Sequence, residues 1–180
     1  MLDFTNTVDS RGIKPGPDVL GSFGDLRAWA LRRGIIDTPD AEGLASLPGT
    51  RSRRALASAK TFREALYRMF SGQAILPVDL DLVEHAFQTA QRARRLTKGF
   101  GGYAWQWQAD DPNTITHRIA LSATDLLTGP ALDRVHVCPG ENCHWLFLDT
   151  SRSGRRIWCS DETCGRRNRI RRWRAKQLDK

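Results

Sequence analysis

The sequence of 180 residues contains no apolar run that approaches the ~18 residues of a membrane-spanning helix, which argues against an integral membrane protein. The first residues also lack a basic stretch followed by an apolar one, the pattern of an export signal. We therefore expect a cytoplasmic location, where thiols stay reduced. Internal repeats and low-complexity segments are missing too. Hydrophobic residues make up 40% of the chain, enough for a folded core.

Net charge is missing from most of the chain. Residues 1–150 contain 17 Lys and Arg against 17 Asp and Glu, whereas residues 151–180 contain 11 against 3. The last 30 residues therefore carry the whole formal charge of +8. A neutral body with a basic end indicates that the end meets an anion and that the body has another role.

The apolar pattern predicts helices over most of residues 1–130, including 51–70, 77–95 and 114–127. A single strand is expected over 103–108, where aromatic residues alternate with polar ones. After the breakers Gly129 and Pro130, short strands and a final helix from about residue 161 to 176 are expected. The fold class is therefore mainly α with small β (α+β). We expect a helical domain over 1–130 and a small module over 131–180, with separate cores.

Cysteine is absent before residue 138, and all four cysteines then follow in the spacing Cys-x4-Cys-x15-Cys-x4-Cys. Two close pairs separated by a dozen or more residues are typical of a four-thiolate zinc site, formed here by Cys138, Cys143, Cys159 and Cys164. Two disulfides, an iron–sulfur cluster and four unrelated thiols are the alternatives. Since four protein ligands leave no open coordination position, the zinc should have a structural role. Residues 131–180 are therefore expected to form a treble-clef-like zinc module whose folding depends on the metal.

The final helix and the loop before Cys159 carry the excess of arginine, whose planar fork suits phosphate groups and guanine edges. We predict nucleic-acid contacts from Arg155, Arg156, Arg167, Arg169, Arg171, Arg172 and Arg174. Contacts with an acidic protein, or a merely solvated helix, are the alternatives. Ile170 and Trp173 share one stripe of this helix and are expected to pack on the zinc site.

In the helical domain, Trp105 and Trp107 share one face of the predicted strand. They are expected either as core residues or as a wall of an apolar ligand pocket, to which Asn6 of the first helix contributes. His85 and His117 belong to no metal or triad spacing, so we expect them on helix surfaces. No nucleophile–base or acid–base pair is recognisable in the sequence, and the protein is therefore not expected to be an enzyme.

Three stretches of the module, residues 143–152, 155–160 and 164–174, resemble the CGNR zinc-finger family. The Cys-Gly-Asn-Arg motif corresponds to Cys164-Gly165-Arg166-Arg167, with Arg166 in place of the asparagine. The N-terminal sequence Asp3-Phe-Thr-Asn-Thr7 and the helical body resemble the ABATE domain that precedes this finger in the family. The resemblance spans essentially the whole chain and implies a stress-induced transcription regulator.

Charge, cysteine spacing and resemblance together predict a zinc-dependent DNA-binding protein that regulates transcription. Its body would act as a sensor for a small-molecule ligand or as a homodimerisation unit, and no membrane partner is expected. The first alternative is an adaptor that uses its zinc knuckle to bind another protein. The second is a ligand-binding or enzymatic helical domain.

Overall fold

The computed structural model describes residues 1–12, 14–108 and 110–178. Its helices are α1 (Leu2–Thr5), α2 (Phe23–Arg32), α3 (Thr38–Ala45), α4 (Gly49–Ser71), α5 (Pro77–Ala93), α6 (Thr114–Thr128) and α7 (Arg166–Leu178). Its strands are β1 (Arg94–Gly99), β2 (Gly102–Trp107), β3 (Val135–Val137) and β4 (Leu146–Leu148). The prediction of a mainly α protein with a small β component is confirmed. Among the helices described, none is both long and apolar enough to cross a bilayer.

The two sheets are antiparallel pairs, β1 with β2 and β3 with β4. The helix predicted over 77–95 ends at Ala93, and the chain continues directly into β1. This strand was not predicted, because its sequence Arg-Arg-Leu-Thr-Lys-Gly contains one large apolar residue and no alternation. It is paired by the neighbouring β2, to which it is joined by a turn at Phe100 and Gly101.

The core of the body lies around α4, the longest helix. Phe62, Leu66 and Phe70 recur at intervals of four on one face of α4 and are buried. Phe4 of the short α1 packs on Trp29 of α2, with 5.5 Å between the ring centroids. The apolar faces of α5 and α6 close the same cluster.

The C-terminal module shares this core, so the expectation of separate cores is wrong. Val137 and Leu146 are cross-strand partners and thus share a face of the β3–β4 hairpin. Leu146 is buried in the apolar cluster of the body helices, and Val137 packs against that cluster. The opposite face carries Phe147, which is buried with the cysteines. A hairpin with strands of three residues is too small to bury both faces by itself.

An ion pair between buried Arg63 and half-buried Asp18 fixes the chain between α1 and α2 to α4. Arg63 is only 4% exposed and donates hydrogen bonds of 2.8 and 2.9 Å to the carboxylate of Asp18 and one of 2.9 Å to Thr7 Oγ1. Burial alone would raise the pKa of Asp18, but hydrogen bonds from Arg63, the Leu20 amide and Lys60 hold it well below its usual value. The carboxylate therefore stays charged at neutral pH.

Replacing Asp18 by Ala should lower the free energy of unfolding by about 2–3 kcal/mol, because buried Arg63 loses two charge-assisted hydrogen bonds. Urea unfolding at pH 7 measures this, with Asp81→Ala on the exposed surface of α5 as the control. The difference from the parent should shrink as the pH falls below about 4, where the carboxylate of the unfolded chain takes up a proton. Equal stability of the two variants at pH 7 would contradict the role of this pair.

Candidate metal centre and basic helix

The four cysteines lie at the ends of short elements that converge on one point. Cys138 directly follows β3, and Cys143 lies in the turn before β4. Cys159 ends the loop after β4, and Cys164 lies in the wide helical turn Asp161–Gly165 that leads into α7. All four are free thiols, and their Sγ atoms lie within 4.8 Å of one another.

The separations fit a metal ion and not disulfide bonds. The Sγ of Cys159 lies 3.5 Å from that of Cys143 and 3.7 Å from that of Cys164. A disulfide would need about 2.05 Å. Four sulfurs placed about 2.3 Å from a tetrahedral zinc ion are about 3.8 Å apart, which is close to the observed values. The donor set, four thiols and no carboxylate, is also the one that zinc prefers in structural sites.

Two thiols of this cluster, those of Cys143 and Cys159, resist ionisation without a cation. Burial raises the pKa of Cys143 to about 12, and burial together with neighbouring thiols raises the pKa of Cys159 further. Burial opposes the charge of Cys138 as well, but backbone amides of Cys159 and Gly140 lower its pKa. A divalent cation removes the penalty of placing four thiolates together, so metal binding must release protons and must weaken in acid.

The loop between the second and third cysteines is held by Asp149, which the sequence reasoning missed. Its buried carboxylate accepts hydrogen bonds from the amides of Ser151, at 2.8 Å, and Arg156, at 2.9 Å. Hydrogen bonds from these two residues lower the pKa of Asp149 to about 2. An Asp two residues before a Ser in a loop is the pattern of an Asx turn, which is the signal that could have found it.

Arg156 is used inside the module. Its side chain donates to the carbonyls of Trp158, at 2.9 Å, and of Cys159, and its guanidinium lies 4.8 Å from the ring centroid of Phe147. It thereby clamps the backbone around the third cysteine. Among the arginines predicted to contact nucleic acid, Arg156 is the one whose side chain stabilises the module itself.

The N-terminal segment, defined as residues 6–12, docks on the cysteine turn. The amide of Asn6 pairs with the backbone of Leu146, accepting from its N–H at 2.9 Å and donating to its carbonyl at 2.8 Å. Trp145 Nε1 donates to the Val8 carbonyl at 3.0 Å. These bonds join residues about 140 positions apart in the sequence and attach β4 to the body.

The same segment reaches the metal ligands themselves. The Arg11 amide donates to the carbonyl of Cys143 at 3.0 Å, and the Gly12 amide donates to that of Asn142 at 3.3 Å. A Cβ at Gly12 would lie 2.7 Å from the Cα of Asn142, so this approach requires glycine. From α4, the Tyr67 hydroxyl donates to the His144 carbonyl at 2.8 Å. The metal site is thus built into the body.

The motif glycine beside the fourth cysteine is equally constrained. A Cβ at Gly165 would collide with the carboxylate of Asp161 and would lie 3.1 Å from Trp158. A side chain at this position would have to displace the Asp161 carboxylate and shift Trp158, so glycine fits the close approach of this turn to the loop best. This is a physical reason for the Cys-Gly pair in the motif.

The final helix α7 stands in solvent. Ile170 is 41% exposed and Trp173 is 62% exposed, so the expectation that they pack on the zinc site is wrong. The reason is that α7 contacts little besides the turn from which it starts. Its other residues up to Gln177 are also exposed, apart from half-buried Asn168.

Two of the predicted contact arginines pair with exposed carboxylates. Arg169 lies 2.7 Å from Asp161, and Arg171 lies 2.8 Å from Glu141. In the described part of the chain, no hydrogen bond or ion pair engages the side chains of Arg155, Arg167, Arg172 and Arg174. Arg167 also lines a cavity of about 430 Å³ beside the cysteines.

The three residues predicted to form a pocket are not brought together. Asn6 lines a groove whose other walls come from α1, α6, β4 and the neighbouring loops, not from the two tryptophans. Trp105 is 54% exposed on the β1–β2 hairpin, so it is neither a core residue nor a wall of that groove. Trp107 is half-buried and stacks on His117 with 6.1 Å between the ring centroids. His117 is buried, contrary to the expectation of a surface histidine.

Comparison with known families agrees with this geometry. The model of the CGNR zinc finger matches residues 134–177, so the cysteine cluster is a zinc-binding site of that class. The model of the ABATE family, described as "Putative stress-induced transcription regulator", matches residues 1–130. Because that match covers more than half of the chain, the protein belongs to the ABATE family. No curated protein matches the sequence.

Purified protein should contain about one zinc ion per chain by elemental analysis, because the four thiols form one tetrahedral donor set. Cys159→Ser should reduce the zinc content strongly, and the metal of the parent should be released as the pH is lowered, since protons compete for the thiolates. Protein with intact disulfides and no zinc would contradict this assignment.

Zinc removal should also loosen the N-terminal segment. After chelation, the amides of Arg11 and Gly12 should exchange hydrogen faster, because their acceptors lie in the cysteine turn. Hydrogen exchange read by mass spectrometry tests this loosening. Unchanged protection of residues 11 and 12 without metal would refute the coupling.

Asn6→Ala should cost about 1–3 kcal/mol of unfolding free energy, since it leaves both backbone groups of buried Leu146 unpaired.

Proposed function

We propose that the protein is a zinc-dependent DNA-binding regulator of transcription, in which α7 and the loop before Cys159 contact the phosphates. The observation that carries this proposal is the arginine-rich helix that stands in solvent on nearly all of its sides. A helix whose surface is mostly arginine gains little from packing against its own protein. Its composition is therefore better explained by an external anionic partner.

Six arginines of this segment are available to a ligand. Within the described residues after 150, no ion pair or hydrogen bond engages the side chains of Arg152, Arg155, Arg166, Arg167, Arg172 and Arg174. The pairs of Arg169 and Arg171 are exposed, and such pairs contribute only about 0–1 kcal/mol. Phosphate groups can therefore displace those carboxylates at little cost.

The zinc site gives this helix a fixed base. Cys164 lies in the helical turn directly before α7, so metal binding holds the start of the helix against β3, β4 and the N-terminal segment. Four thiolates on Zn²⁺ leave a charge of about −2. Arg166 and Arg167, next to Cys164, are placed to offset it, so the arginines farther along the helix are the better candidates for DNA.

The dimensions of α7 suit a groove of duplex DNA. Its 13 residues span about 20 Å, and an α-helix fits the major groove, which is about 12 Å wide. Ile170 and Trp173 are three residues apart, so they lie on the same side of the helix as neighbours. In a groove, these exposed side chains can contact the methyl groups of thymine while the flanking arginines meet phosphate or guanine.

The protein is proposed to act by binding and not by catalysis. Zinc held by four protein ligands has no open position for a substrate or water, which limits it to a structural role. The regulatory input is proposed to come from the body, because the N-terminal segment connects α1 and α4 to the cysteine turn.

Binding of the full zinc-loaded chain to duplex DNA should weaken with salt, with a log–log slope of about −4 to −5 for the available arginines. The triple variant Arg171→Ala, Arg172→Ala, Arg174→Ala should make the slope shallower by about three units, on every sequence tested. Fluorescence anisotropy over a salt titration measures both.

The matched control removes three exposed arginines from the body, Arg53, Arg54 and Arg92, and thus changes the net charge equally. It should retain the slope of the parent, and both variants should keep their zinc. If the two triple variants weaken DNA binding equally, the loss of affinity comes from net charge and not from contacts made by α7. If the parent binds no duplex at low salt, the adaptor function replaces this proposal.

A further inference from the structure

The hairpin formed by β1 and β2 leaves large apolar side chains in solvent. Phe100 at its tip is fully exposed, Tyr103 is 72% exposed and Trp105 is 54% exposed. The register places Trp105 opposite Leu96 and Tyr103 opposite Lys98, and cross-strand partners share a face. We call this side of the hairpin, with Leu96, Lys98, Tyr103 and Trp105, the aromatic face.

The hairpin is also cationic, although the body as a whole is neutral. It carries Arg94, Arg95 and Lys98, and there is no Asp or Glu anywhere between residues 85 and 109. The guanidinium of Arg94 lies 4.4 Å from the ring centroid of Trp105. Positive charge and flat aromatic rings are thus interleaved on a surface that no other element of the described structure covers.

The charge of the hairpin argues for an anionic partner. Contact between the aromatic faces of two copies would bring Arg94 and Lys98 of each copy together, four like charges, which is unfavourable. Insertion into a lipid surface would proceed through the tip, where Phe100 stands alone among glycines. The other aromatic side chains lie along the flank of the ribbon, the arrangement expected for stacking against flat groups.

We propose that the aromatic face of the β1–β2 hairpin binds an unpaired nucleic-acid strand, whose bases stack on Tyr103 and Trp105 and whose phosphates meet Lys98 and Arg94. Stacking on aromatic side chains next to a basic surface is how proteins hold single strands without reading their sequence. The bases must be unpaired, because those of a duplex keep their faces stacked on one another.

The spacing of the rings agrees with this partner. Tyr103 and Trp105 are two residues apart on one strand, which separates their Cα atoms by about 6.8 Å. This is about twice the 3.4 Å separation of stacked bases, so each ring has room for one base. Trp107, the next aromatic residue on this face, stacks on His117 and anchors the base of the hairpin to the body.

The proposal does not rest on the proposed function of α7, because the two surfaces belong to different parts of the chain and differ in chemistry. α7 offers arginines to the phosphates of a duplex, whereas the hairpin offers rings to unpaired bases. Variants that change one surface leave the other intact, so the two proposals can be tested separately.

The test measures binding of the zinc-loaded full chain to labelled dT20 and to an abasic sugar–phosphate strand of the same length. The double variant Tyr103→Ala, Trp105→Ala should bind dT20 about tenfold or more weakly, because base stacking is lost. Its affinity for the abasic strand should stay as in the parent, since the charges remain. Trp105→Phe should retain most of the affinity, and Leu80→Ala, which removes an exposed apolar side chain from α5, should behave as the parent.

A parallel titration with U20 tells whether the strand is DNA or RNA, and a strong preference for either supports the proposal. Unchanged dT20 and U20 binding by the double variant overturns it, and so does an equal loss on the abasic strand. Loss of binding to vesicles of anionic lipid, with nucleic-acid binding intact, assigns the hairpin to a membrane surface instead. A change only in molecular mass by light scattering assigns it to self-association. Circular dichroism confirms that the double variant is folded.

Discussion

Four thiols within 4.8 Å of one another are the constraint on which the rest of the structure depends. Burial raises the pKa of two of them, Cys143 and Cys159, so a bound cation is what favours the charged ligand set. Three segments meet at this point: the turn of Cys138 and Cys143, the loop held by Asp149 and Arg156, and the helical turn Asp161–Gly165 before α7. Zinc therefore organises segments that have almost no apolar side chains of their own.

The C-terminal module has few apolar side chains of its own, and one face of its hairpin packs on the core of the body. Its larger hairpin face is buried against α1 and α4, and only the smaller face, with Phe147, covers the metal. Backbone contacts from the N-terminal segment complete the arrangement. The metal site and the body are thus in direct contact, which suits a protein whose body is proposed to regulate what its finger does.

Much of this could be predicted from the sequence, because the responsible signals are local. The spacing of the four cysteines, the helical periodicity around Phe62 and Leu66, and the breakers Gly129 and Pro130 each act over a few residues. The contacts of Asn6 with Leu146 could not be predicted, since nothing local links residues 140 positions apart. The exposure of Trp173 and Trp105 was also missed, because composition suggests burial for a large apolar ring and cannot show that no partner element reaches it.

The pairing of Asn6 with Leu146 has a consequence for anyone who divides this chain. The amide side chain takes both backbone groups of Leu146 and so occupies the outer edge of a two-stranded sheet. A fragment that starts at residue 131 would present that edge, together with the apolar side of Val137 and Leu146, to water. Open edges of this kind pair with each other. The finger is thus a poor candidate for transplantation by itself, and a useful chimera should carry residues 1–12 and the α4 face with it.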